Sequence, residues 1–278
     1  MAEIKIENLK YRYPDTKELA LDGITCDIKP GEFIGVIGRN GSGKSTFCQS
    51  LIGLVPNFYR GAYGGKVFID DIEVRNVEVD ELCQKVGMVF QNPFNQVTGS
   101  KLTVYEEIAF GLENFGIPRN EMKKRIDALE LLDIAKYRDR APFDLSGGQM
   151  QRMAIASIIA MNPEIIVLDE PTSQLDPQGS EEVFKAVAKL SEKGITVIMV
   201  EHKIEKIAAY SDRIMLLDGG KLVAFDTPQE IFAREDLAEH GVVAPVYTRI
   251  CKDLGLRVPG TDYYPVTLDE AHKLLACK

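Results

Sequence analysis

Apolar residues in this chain follow two rhythms. Over residues 3–8, Ile24–Ile28 and Lys66–Ile69 they alternate with polar ones, the period of strands buried on one face. The opening part therefore reads as antiparallel sheet. Elsewhere apolar residues run almost unbroken, at Phe33–Ile37, Gly87–Phe90, Ile165–Leu168, Ile195–Val200 and Ile214–Leu217. Such runs predict parallel strands covered on both faces, and the helical spacing between several of them gives a βαβ architecture. Residues 92–162 differ. Val104–Phe115, Arg119–Leu132 and Gln149–Met161 are all helical in pattern with no strand among them, which predicts a helical lobe inserted into an α/β core. From Asp226 the pattern turns helical and irregular, with TPQEIFARED and then short amphipathic stretches near Val246 and Leu268, and this reads as a C-terminal appendage.

Composition narrows the class. At 278 residues and 45% hydrophobic, the chain can bury a full core. A net charge of −9 argues against broad nucleic-acid binding, which needs a basic face for the phosphate backbone. Five cysteines, Cys26, Cys48, Cys83, Cys251 and Cys277, are scattered without a CxxC pair, as expected for reduced thiols in a cytosolic protein. The start MAEIKIENLKYRYP has no signal-peptide h-region, and no apolar run approaches the length of a membrane span. A peripheral place on a membrane partner stays open.

GRNGSGKST, Gly38 to Thr46, follows an apolar strand and opens a helix, and it fits G-x-x-x-x-G-K-[ST]. Glycines let backbone N–H groups curl around a β-phosphate. Lys44 reaches the β- and γ-oxygens, and the Ser45 hydroxyl is placed to ligate Mg²⁺. The expected nucleotide contacts are Gly38, Asn40, Gly41, Ser42, Gly43, Lys44, Ser45 and Thr46. The partner of such a loop is an acidic residue ending a buried strand, and IIVLDEP supplies Asp169 and Glu170. Asp169 would hold Mg²⁺ through water or via Ser45, while Glu170 points differently and suits a general base polarising a water toward the γ-phosphate.

Two further residues end apolar strands. Gln91 is placed to sense the metal or water while linking the core to the helical lobe, although a strand-end Gln is ordinarily a loop residue. His202 sits at the C-terminal end of a third strand, the edge where open α/β sheets bind ligands, so contact with the γ-phosphate is expected. A second anion site lies in DLSGGQMQRM. Ser146 is an N-cap, and Gly147, Gly148 and Gln149 open a helix whose N-terminus presents bare backbone N–H groups.

GRNGSGKST, Gln91, LSGGQ, IIVLDE, SQLD at Ser173–Asp176 and His202 together resemble the ATP-binding cassette (ABC) ATPases, over about residues 2–232. The resemblance implies a P-loop NTPase fold of class α/β, with a parallel sheet and an N-terminal antiparallel β subdomain. It divides the chain into an ATPase domain, 1–232, and a C-terminal helical extension, 233–278. Within the first, the core is 1–91 and 163–232, and the helical subdomain is about 92–162. It implies ATP and Mg²⁺ as cofactors, Ser45, Gln91 and Asp169 as metal ligands, and catalysis by Glu170, His202, Lys44 and Gln91. It makes Tyr13 the aromatic that stacks on adenine, with Tyr11 the weaker alternative. Gln174 departs from the Ala of many members.

YRYPDTKELALDGI and QNPFNQVTGSKLTVYEEIAFGLENFGIP resemble one branch, the energy-coupling factor (ECF) ATPases of micronutrient importers. Phe94 departs from that branch's acidic residue, and VTG replaces FVG. The branch implies peripheral attachment to the cytoplasmic face of the cell membrane. It also implies a transmembrane coupling protein and a separate substrate-binding membrane subunit as partners. A conventional ABC transporter, a soluble cassette of DNA repair or translation, and an ATP-holding regulatory module are the other readings. The helix from Gln149 to Met161 spans roughly 20 Å, and its Ser146 end would point away from the chain's own P-loop. Geometry and resemblance alike then imply a head-to-tail pair with a second ABC ATPase subunit, identical or paralogous.

Overall fold

The computed structural model describes residues 2–127 and 132–276. In chain order the strands are β1 (Ile4–Arg12), β2 (Leu21–Ile28), β3 (Phe33–Ile37), β4 (Ala62–Ile69) and β5 (Ile72–Glu73). They continue with β6 (Val86–Val89), β7 (Ile165–Asp169), β8 (Thr196–Val200), β9 (Arg213–Asp218) and β10 (Lys221–Asp226). The helices begin with α1 (Lys44–Leu51), α2 (Leu54–Asn57) and α3 (Val79–Leu82), then α4 (Val104–Asn114), α5 (Arg119–Asp127) and α6 (Gly147–Met161). After β7 come α7 (Pro177–Glu192), α8 (Ile204–Tyr210), α9 (Pro228–Ala233), α10 (Val246–Asp253) and α11 (Leu268–Ala276).

The two sequence rhythms build two sheets. The alternating segments form an antiparallel sheet in the order β2-β1-β4-β5, and the apolar runs form a second sheet in the order β10-β9-β3-β8-β7-β6. Within the second, β9, β3, β8, β7 and β6 are parallel neighbours, and every residue of β3, β6, β7 and β8 is buried. The pleat sends successive side chains to opposite faces and so into two cores. Ile34, Val36, Ile198 and Val200 join α1 and the antiparallel sheet on one side. Phe33, Ile37, Val197 and Met199 join α6 and α7 on the other. A fully buried Ile or Val side chain is worth about 1.5–3 kcal/mol over an exposed one, so these central strands are rigidly placed.

Because five strands run the same way, the ends of β3, β6, β7 and β8 all emerge at one sheet edge. The topology thereby gathers the P-loop, Gln91, Asp169, Glu170 and His202, which are far apart in sequence.

Between β6 and β7 the described residues contain no strand; α4 packs on α6, starting from a capping box of Thr103 and Glu106. The helix expected over Arg119–Leu132 is described as far as Asp127, and residues 128–131 lie outside the described residues. The C-terminal segment is docked rather than free: Leu237, Val242 and Val266 enter the core of the second face. Strand β10 had no counterpart in the sequence pattern. KLVAFD is a half-buried antiparallel edge with a bulge between Leu222 and Ala224, so its apolar residues neither alternate cleanly nor run unbroken.

Candidate functional site

The P-loop turns tightly between β3 and α1. Gly38 has φ 143°, and a Cβ there would stand 2.0 Å from the Leu217 carbonyl oxygen; Gly43, at φ 101°, would place one 2.5 Å from that of Ala20. No L side chain fits either place. The loop wraps back on Lys44, whose Nζ donates to the carbonyls of Gly38 (2.9 Å) and Arg39 (3.0 Å). Burial lowers the Lys44 pKa, while the carboxylates of Glu170 and Asp169 oppose the shift.

A cleft of about 670 Å³ opens above this loop, lined by Tyr13, Asn40, Gly41, Gly43, Lys44, Ser45, Thr46, Gln91, Glu170 and His202. Gly38, Ser42 and Asp169 lie beside it; Ser42 and Asp169 are buried. Tyr13 and Tyr11 stand edge to face with ring centroids 4.8 Å apart, but Tyr11 is wholly buried and donates to the Tyr59 carbonyl at 2.6 Å. Tyr13 stands at the cleft, its hydroxyl 3.1 Å from Thr46 Oγ1 and donating to Gln49 Oε1 at 3.1 Å.

Glu170 is the meeting point of three strand ends. Its backbone adopts φ 49°, a region costly for a non-glycine residue and enriched at functional positions. Gln91 Nε2 donates to its Oε2 at 2.7 Å, and His202 Nε2 lies 3.0 Å from its Oε1.

Asp169 ends β7 beside Ser45. Burial raises its carboxyl pKa, against a hydrogen bond from the Ser45 hydroxyl and the charges of Lys44 and His202. Its Oδ1 is buried with no hydrogen-bond partner. An orphaned buried carboxylate oxygen next to a serine hydroxyl fits a hard divalent cation such as Mg²⁺. Among the described residues no group of three or more His, Cys, Asp or Glu is placed to hold a metal.

Ser146, Gly147, Gly148 and Gln149 line a different cleft, of about 570 Å³, together with Lys136, Tyr137, Arg152, Gln174 and Asp176 among others. The helix start is a capping box: Ser146 Oγ accepts from Gln149 N–H, and Gln149 Oε1 accepts from Ser146 N–H. The Ser146 hydroxyl hydrogen and the N–H groups of Gly147 and Gly148 are left for an anion at the α6 N-terminus. Gln149 Nε2 is in turn anchored on the Tyr137 hydroxyl at 3.0 Å. The structure thus brings ten of the singled-out residues to one cleft and four to another.

Comparison with known proteins decides the family. The ABC transporter family model matches residues 21–173, just over half the chain. The chain belongs to the ABC transporter family. An ABC relative in Lactococcus lactis, the energy-coupling factor transporter ATP-binding protein EcfA1, is 42% identical over 99% of this chain and 98% of its own length. Among solved ABC structures, cbiO1 of Clostridium perfringens, part of the ABC transporter complex cbiONQ, matches with a TM-score of 0.73 and 32% identity over 92% of this chain and 95% of that one. A dimeric ATP-binding cassette in a post-hydrolysis state with ADP and Pi matches with a TM-score of 0.69 and 32% identity over 81% of this chain and 98% of that one. This ABC chain is an ATPase and binds nucleotide.

Sequence reading missed the surroundings of both clefts. Lys136, Tyr137 and Arg152 carry no motif, and Thr172 and Glu201 look like ordinary loop polars until their burial is seen.

Proposed function

We propose that the chain is the ATP-hydrolysing, energy-coupling subunit of an ECF-type membrane importer for a micronutrient, a vitamin or a transition-metal ion. One observation carries the reading of the site: the P-loop and the Ser146 helix start line separate clefts of the same chain. A γ-phosphate held by both requires a second cassette, a copy of this chain or a paralogue, arranged head to tail. The importer assignment is supported by the relatives named as energy-coupling factor subunits and by the cbiO1 structure's place in a transporter complex.

In this mechanism Tyr13 stacks on adenine and the P-loop N–H groups hold the β-phosphate. Lys44 bonds the β- and γ-oxygens. Ser45, Asp169 and Gln91 would hold Mg²⁺, which when bound neutralises charge on the phosphates. His202 turns to the γ-phosphate and so releases Glu170 Oε1. Glu170 then takes a proton from the attacking water as its oxygen bonds to the γ-phosphorus and the bond to the β-phosphate oxygen breaks. The second chain's Ser146 hydroxyl and glycine N–H groups stabilise the charge on the γ-oxygens. ADP and phosphate leave, and the two cassettes part.

Motion passes to the membrane subunits through Gln91 and residues 92–115. Phe94 (55% exposed), Leu102 (81%) and Phe143 (59%) offer apolar contacts there. Among the described residues no helix is long and apolar enough to cross a membrane, so the chain would sit peripherally on the cytoplasmic face, on a transmembrane coupling protein paired with a substrate-binding subunit.

Glu170→Gln tests the assignment of the base. The variant should bind ATP, accumulate an ATP-bound dimer and lose about a hundredfold or more in turnover. Hydrolysis at the normal rate would remove Glu170 from this role.

A further inference from the structure

One buried carboxylate beside the cleft is not used by the chemistry above. Glu201 ends the run after β8 and is only 3% exposed, yet it does not line the cleft. Its Oε1 accepts from the backbone N–H of Thr172 at 3.0 Å and from the Thr172 hydroxyl at 2.5 Å, while its Oε2 accepts from the His202 N–H at 3.1 Å. From the other side of His202, Lys203 Nζ donates to the Thr172 carbonyl at 3.1 Å. Both neighbours of His202 thus grip one threonine that is wholly buried and lies two residues beyond Glu170.

The position of this clasp explains its use. Strands β7 and β8 are paired up to Asp169 and Val200, and the last backbone bond of the ladder runs from Glu170 N–H to the Val200 carbonyl at 3.0 Å. Beyond that point no backbone pairing of the two strands sets His202 against Glu170. The side-chain bonds through Thr172 carry the ladder on past its end, inside a low-dielectric interior where hydrogen bonds are strong and geometry is stiff. A carboxylate survives such burial only when its partners are in place.

We infer that Thr172, clasped by Glu201 and Lys203, is a positioning residue that sets the His202 imidazole against Glu170 for hydrolysis. The inference rests on the proposed roles of His202 and Glu170. Thr172→Val keeps the shape and the backbone N–H but removes the hydroxyl donor, and Thr172→Ser keeps both donors.

The test measures ATPase kinetics and the ring resonances of the three histidines by NMR, assigned with a His202→Ala variant. Thr172→Val should lose about tenfold in kcat with KM for ATP changed less than about twofold, and should displace the His202 signal alone. Thr172→Ser should restore both. If Thr172→Val turns over normally beside an impaired His202→Ala, or loses kcat without moving the His202 signal, the clasp has no positioning role. If His202→Ala itself turns over normally, the reading of the site fails first, and the clasp with it.

Discussion

Gln91 Nε2 donates to Oε2 of Glu170 at 2.7 Å, across the ends of the neighbouring strands β6 and β7, while His202, beyond β8 on the other side, lies 3.0 Å from the other oxygen. Both oxygens of the proposed base are therefore engaged. In the proposed mechanism His202 lets go of Oε1 on meeting the γ-phosphate, which frees that oxygen for the attacking water, while Gln91 is the partner expected to meet the metal.

Asp169 should trade stability for function. Burial raises its carboxyl pKa, so the folded state favours the proton. The stability given by the protonated form is complete below the ordinary carboxylate range and is lost as pH rises through the raised value. At neutral pH the ionised side chain, with Oδ1 unpartnered, is a net cost. Asp169→Asn is expected to raise the melting temperature of the nucleotide-free protein at pH 7 by about 2–4 °C, less at acidic pH, while Mg²⁺-dependent ATPase activity is lost. Calorimetry showing a lower melting temperature at pH 7 would contradict this.

The proposed docking surface can be separated from the chemistry. Leu102 is 81% exposed, and only its backbone N–H is bonded, to Glu106 Oε2 at 3.1 Å. Leu102→Asp should leave the ATPase rate of the free chain within about twofold, since exposed substitutions cost little stability. Recovery of transmembrane subunits with the chain should fall by about tenfold or more. Undiminished recovery would move the docking surface elsewhere.

Much of this was legible in sequence for a physical reason. Strands buried on both faces must be apolar throughout, and parallel strands must expose their C-terminal ends at one edge, so FIGVI, IIVLD and TVIMV announced both the sheet and the residues beyond it. The choice between Tyr11 and Tyr13 was open because residues two apart share a strand face; depth separates them, and depth is not written in the period. Strand β10 was hidden because an edge strand half-covered on both faces has no distinct rhythm. Glu201 was hidden because a charged residue after a strand reads as solvated, and only the packed fold shows Thr172 closing over it.

In the proposed dimer the cleft holding Lys44 and Glu170 is completed by the Ser146 helix start of another chain. The most direct test of that completion is Ser146→Arg, measured in the isolated chain and in the assembled transporter. ATP bound per chain, by equilibrium dialysis, should match the unmodified protein, while hydrolysis falls to background. Hydrolysis at an undiminished rate would show that the P-loop cleft of a single chain suffices, and the shared site would be wrong.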